Sequence, residues 1–99
     1  MINIYPIVDK EDYLLMGQND PEGRLFLHFE WKGAKFTAAK YKEVLEDWDA
    51  ILDAFRQMGI PEVFSAIPYD WDKVRKWQTM FGLAPFAEND KAVYYRLEV

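Results

Sequence analysis

The chain contains no cysteine, a single histidine and a single serine. Disulfides, thiolate metal sites and cysteine nucleophiles are therefore excluded, and a reducing compartment is allowed. No apolar run reaches the length of a secretory h-region or a membrane span, so a cytoplasmic protein is expected. Positive charge is also in short supply. Twelve Lys and Arg face seventeen Asp and Glu, for a formal net charge of −5. Binding to nucleic acid through its phosphates needs a surplus of cations to replace counterions, and an anionic membrane surface asks for the same; neither partner is expected.

What is present is apolar and aromatic. In 99 residues, 51% are hydrophobic and 17% aromatic, far from a disordered composition and sufficient for one domain spanning 1–99. Rings on this scale either build the core or remain partly exposed, where Trp and Tyr commonly meet a partner.

One stretch organises the rest. From Thr37 to Met58, apolar residues fall at Tyr41, Val44, Leu45, Trp48, Ile51, Leu52, Phe55 and Met58, in steps of three or four. That spacing keeps one stripe of an α-helix apolar. Thr37 can cap it, Gly59 supplies the left-handed position after it, and Pro61 prevents its continuation. Lys40, Glu43, Glu46, Asp47, Asp49, Asp53 and Arg56 occupy the other face, which should be solvated.

Around this helix the chain reads as alternating short elements. Residues 2–8 alternate as a strand in which Pro6 marks an edge. Asp9 to Gly17 carries a capping Asp and apolar Tyr13, Leu14 and Met16, and reads as a short helix. From Asp9 to Glu30, acids outnumber Lys and Arg six to two, which places most of the net charge there. Residues 18–23 form a loop. Arg24 to Trp31 is a strand with Leu25, Leu27, Phe29 and Trp31 on one face and Phe26, His28 and Glu30 on the other. A turn at 32–35 leads into the long helix. Glu62 to Ile67 is a buried strand closed by Pro68. Asp70 is read as the cap of a second helix through Trp71, Val74, Trp77 and Phe81, ended by Gly82. Leu83–Phe86 and Ala92–Val99 form a hairpin about a polar turn. The two strands flanking the long helix should be parallel.

From Arg24 onward this layout resembles the second half of the GCN5-related N-acetyltransferase family, in which a strand, a long helix, a strand, a shorter helix and a closing hairpin follow in turn. The local likeness is best at Trp77-Gln78-Thr79-Met80-Phe81-Gly82-Leu83, a segment similar to the family's helix ending, and at Gly59-Ile60-Pro61. The resemblance implies an acetyl-CoA site made by a Gln/Arg-x-x-Gly-x-Gly/Ala turn at the head of the long helix, where backbone N–H groups cradle the pyrophosphate. Here the matching stretch, Phe36 to Glu43, has no glycine. Thr37, Lys40 and Lys42 are the residues left that could attract a phosphate, and solvated lysines at a helix start are the plainer reading. The resemblance also implies a tyrosine four residues before the helix-ending glycine, which protonates the leaving thiolate. That position is Gln78, and a neutral amide has no proton to give near neutral pH. The family's N-terminal half is compressed into about two dozen residues.

Other chemistry is sparse. His28, with Glu30 two residues on, could be a base oriented by a carboxylate; a surface or structural histidine is the plainer reading. Asp47, Asp49 and Asp53 on a helix lack the converging oxygens of a hard-metal site, so no metal is expected and an acidic, solvated face remains. Glu46, Asp49 and Asp53 could serve there as a recognition surface for a basic partner. Tyr69 and Trp71, beside Lys73 and Arg75, would make an aromatic–basic patch if Trp71 points outward; closing the helix start over the core is the other reading.

The expected fold is α/β (α+β), a small mixed sheet packed by one long and one or two short helices. The expected function is a non-catalytic acidic domain that binds a protein partner, with homo-oligomers allowed and no cofactor. Its size and style resemble stripped-down domains of phage-encoded proteins, which suggests a virion component or an inhibitor of a host factor. The alternatives are a minimal acetyl-CoA-dependent N-acetyltransferase and an acidic mimic of nucleic acid that blocks a DNA-binding protein.

Overall fold

A computed structural model describes residues 4–33 and 37–99. The expected first residues of the opening strand (Ile2 and Asn3), the end of the turn at Ala34-Lys35, and Phe36 lie outside the described residues. The order is β1 (Ile4–Asp9), β2 (Tyr13–Asn19), β3 (Leu25–Trp31), α1 (Ala38–Gln57), β4 (Glu62–Pro68), α2 (Asp72–Met80), β5 (Ala84–Glu88) and β6 (Ala92–Glu98). All six strands join one mixed sheet in the order β1-β2-β3-β4-β6-β5.

The long helix forms as its spacing requires. Thr37 accepts the Lys40 N–H at 3.2 Å, satisfying one donor of the first turn. Val44, Trp48, Leu52 and Phe55 are buried, while Met58 is exposed because the helix has already ended there. Gly59 takes φ +78°, with its N–H bonded to the Arg56 carbonyl and the next N–H, of Ile60, reaching back to the Phe55 carbonyl. The second helix stops in the same manner. Gly82 has φ +90°, its N–H meets the Thr79 carbonyl, and Leu83 N–H meets that of Gln78. The Phe81-Gly82-Leu83 sequence thus has a local cause: a left-handed glycine followed by an apolar residue that folds back onto the core.

Both helices pack on one face of the sheet. Tyr13, Leu15, Leu25, Leu27, Val63, Val93 and Tyr95 point to that face and form one buried cluster with the α1 stripe. Trp48 Nε1 donates to the Phe81 carbonyl at 2.9 Å, tying α1 to the end of α2. Phe29 meets Trp77 edge-on at 5.5 Å, which seats α2 over β3.

Two expectations are corrected. The segment 9–17 does not form a short helix; Tyr13–Asn19 is strand β2, antiparallel to β1 on one side and β3 on the other. Its alternation of buried Tyr13, Leu15 and Gly17 with half-buried Leu14, Met16 and Gln18 is that of a sheet. A single short helix, α2, accompanies the long one. Asp70 is not its cap. Residues 68–71 form a turn with Trp71 N–H bonded to the Pro68 carbonyl, so the cap position passes to Trp71, whose side chain makes no capping bond.

β3 and β4 are parallel, as expected for the strands flanking α1, but their ladder is confined to Phe26 opposite Phe64. By contrast β2–β3 and β4–β6 are paired along their length. Each edge strand carries a proline and an irregularity, at Pro6/Val8 in β1 and Pro85/Ala87 in β5. Both devices spoil an edge for further strand addition.

Candidate functional site

The resemblance places its chemistry at the head of α1 and on α2, and those positions are occupied differently here. At the helix head, Lys40 Nζ binds Asp12 at 2.5 Å and Glu43 at 3.6 Å. The hydrogen bond to Asp12 raises the Lys40 ammonium above its ordinary range. Its charge is already matched by two carboxylates, and Thr37 has taken the first-turn N–H of Lys40 itself. Lys42 is exposed on the outer side of the helix. The three residues therefore share a helix turn without converging on an open anion site.

Gln78 is 8% exposed and accepts a hydrogen bond from Ser65 Oγ at 2.7 Å. Its amide donates to the Val74 carbonyl one turn earlier, at 3.2 Å. The oxygen ties α2 to Ser65 of β4 and the amide nitrogen is held within α2, a use that fits Gln. Beside it, between the helices and the C-terminal halves of β3 and β4, lies a cavity of 60 Å³ lined by Phe29, Trp48, Ile67, Trp77 and Gln78. Small-molecule sites are usually about 300–1,000 Å³, several times larger.

His28 does not meet Glu30. Its Nε2 lies 2.7 Å from Gln18 Oε1, a diagonal partner on β2, on the sheet face away from the helices. An amide cannot polarise an imidazole as a carboxylate does, so this position fits the structural histidine rather than a carboxylate-oriented base. Among the described residues, no group of three or more His, Asp or Glu side chains converges as a metal site would require.

The acids are dispersed and largely neutralised. Asp47 accepts from Lys10 at 2.6 Å and from the Tyr13 hydroxyl at 2.7 Å. Burial opposes its ionisation, but the hydrogen bonds from Lys10 and Tyr13 outweigh it and hold the carboxyl below its usual range. Burial, then the neighbouring Asp47, push the Tyr13 phenol well above its ordinary value. Asp9 pairs with Lys32, and Asp20 with Arg24 at the far end of β3. Glu46, Asp49 and Asp53 remain on the exposed side of α1, where Gln57 donates to Asp53 at 3.0 Å.

The remaining candidates do gather. Trp71 is 55% exposed and Tyr69 50%, so Trp71 points outward rather than closing over the core. Arg75 lies over the Tyr69 ring at 5.4 Å and bonds Asp72, one turn earlier on α2. Lys73 is exposed between them in sequence. Tyr69 also donates its backbone N–H to the Lys91 carbonyl, bringing the β5–β6 turn alongside. A wide recess of 430 Å³ there is lined by Tyr69, Glu88, Asn89 and Asp90. The acids of that turn were not legible as neighbours of Tyr69, because their proximity follows from the antiparallel pairing of β4 with β6. Phe86, 51% exposed and edge-on to Phe64 at 5.8 Å, is a further exposed ring without a distinguishing local pattern.

No family model, curated protein or solved structure matches this chain. No helix among the described residues is long and apolar enough to cross a membrane.

Proposed function

We propose that this chain is a non-catalytic α+β domain that binds a protein partner through the surface around Tyr69 and Trp71. The observation that carries the reading is two large aromatic side chains, each about half exposed, seated together at the start of α2. Large rings held half in solvent while Tyr13, Trp48, Phe55, Phe64 and Tyr95 are buried are the usual anchors of an interface. Arg75 beneath Tyr69 stiffens one of them, which lowers the entropy lost on docking. Glu88 and Asp90 at the rim, with Glu46, Asp49 and Asp53 elsewhere, suit a partner bearing basic side chains.

The acetyltransferase alternative has less support. A buried amide bonded to Ser65 stands where the resemblance calls for a tyrosine, Lys40 is already paired, and the neighbouring cavity is small. A mimic of nucleic-acid charge is also less favoured: Asp47 is on α1 with Asp12 beside it, Asp9 pairs across the opposite sheet face, and Asp20 sits at the far end.

Quantitative affinity capture from cells of the source tests the proposal, comparing the wild-type chain with Trp71→Ala and Tyr69→Ala. A specific partner is retained by the wild type and lost from both variants. Equal capture by all three places the interface elsewhere and refutes this surface. Thermal melting with millimolar acetyl-CoA separates the enzyme reading, since a bound ligand must raise the midpoint. No shift is expected.

A further inference from the structure

Among the described residues, no helix covers the second face of the sheet. Antiparallel strands solvated on one side normally alternate apolar-in with polar-out. Here the outward set is also apolar in its centre. Leu14 and Met16 on β2, Phe26 on β3, Ala66 on β4 and Tyr94 on β6 all lie on this face by register, with the hydrogen-bonded pair His28–Gln18 and the exposed Glu30 among them. Phe64 is 4% exposed although it points the same way, because Phe26 stacks on it at 5.5 Å and Phe86 closes from β5. The uncovered face is therefore an incipient core, with its own ring cluster and no second layer.

We propose that a second copy of this chain covers that face, forming a dimer in which two sheets stack face to face. Three observations select this occupant. First, charge on the face is mixed and close to balance: Arg96 binds both Glu62 and Glu98, Lys32 binds Asp9, Arg24 lies over Phe26 and Phe64 at 5.8 Å, and Glu30 is exposed opposite Leu14. A strip on which cations and anions nearly balance fits its own copy better than nucleic acid or a strongly basic protein. The acids exposed on α1 (Glu43, Glu46, Asp49 and Asp53) are on the other side of the sheet, so stacking carries the like charges of a −5 chain away from each other. Second, the size is right. Six strands about 4.8 Å apart and five to seven residues long at about 3.3 Å each give roughly 600 Å² in projection, approaching the ~800 Å² each partner contributes to a standard interface. Third, the in-plane route is spoiled. Pro6 and Pro85, each beside a break in register, oppose joining two sheets edge to edge, which leaves the face. The contact is isologous: a twofold axis lying between the two sheets and parallel to them sets Leu14, Met16, Phe26 and Tyr94 of one copy against the same set of the other, about 10 Å away.

Sedimentation velocity on the full chain, from micromolar to near-millimolar, tests this. The wild type is expected to sediment as a dimer at high concentration. Met16→Glu, and separately Leu14→Glu, put a charge in the centre of the stacked layer and should leave a monomer with unchanged far-ultraviolet circular dichroism. Trp71→Ala should leave the dimer intact, so the partner surface and the self-association surface fail independently. A wild type that stays monomeric throughout overturns the inference on its own, whether or not the variants fold. So does a dimer that survives both Glu substitutions, or one that Trp71→Ala abolishes.

Discussion

The buried pair Ser65–Gln78 offers the sharpest test of how this fold has used the position at which the resembled family keeps a catalytic group. Ser65 is 2% exposed, Gln78 8%, and their bond is 2.7 Å. Replacing Ser65 by Ala removes the hydroxyl and leaves the Gln78 oxygen buried without its donor, a loss of about 1–3 kcal/mol. Gln78→Leu leaves the Ser65 hydroxyl stranded and releases the bond to the Val74 carbonyl, which already has its helical role; about 1–2 kcal/mol is expected. The double variant has no orphaned partner and replaces a polar contact by an apolar one of similar shape. It should therefore be less destabilised than the sum of the singles, with a coupling of about 1–2 kcal/mol. Urea denaturation of the four proteins, followed by tryptophan fluorescence, gives the cycle; each kcal/mol corresponds to roughly 4–8 °C of Tm in a domain of this size. Additive losses within error would refute the view that Gln78 serves Ser65. A gain of thioester hydrolysis or acetyl transfer in Gln78→Tyr would refute it from the other direction.

Stability should fall at both ends of the pH scale, for reasons centred on Asp47. Its folded carboxyl titrates below the unfolded value of about 3.9, so its contribution is present above that pH and is lost as pH drops through the folded value. Tyr13 titrates higher folded than unfolded, so stability is full below about pH 10 and declines above it; Tyr13→Phe should flatten the alkaline limb and Asp47→Asn part of the acid limb in urea titrations across pH. Trp48→Phe removes the donor to the Phe81 carbonyl and some packing volume, and should cost about 1–3 kcal/mol by the same denaturation assay.

Much of the architecture can be derived from residues near each other in the chain. The α1 stripe, Thr37 as its cap, the glycines at 59 and 82, the alternation of β3 and the closing hairpin all follow from periodicity, capping and turn chemistry, which act over a few residues. Segment 9–17 did not yield to that reasoning. Tyr13-Leu14-Leu15-Met16 fits a helix stripe and a strand equally well by pattern. The bonds β2 forms with β1 and with β3, contributed by residues up to eighteen positions apart in register, decide between them. The cap of α2 was likewise settled by a turn at 68–71 that closes over the β5–β6 loop rather than by the intrinsic preference of Asp70.

The candidate sites divide along the same line. Sequence alone determined what the head of α1 lacks, because glycine's absence from 37–43 is a covalent fact that no packing can repair. It also placed Tyr69 and Trp71 together, two residues apart. Tertiary structure decided which way they face, that Lys40 spends its charge on Asp12, that His28 meets Gln18 instead of Glu30, and that Gln78 turns inward to Ser65. It also brought Phe26, Phe64 and Phe86 from three strands into one uncovered cluster. Local chemistry sets which groups a chain can offer. Which of them remain on offer depends on partners dozens of residues away, and those are chosen only when the sheet closes.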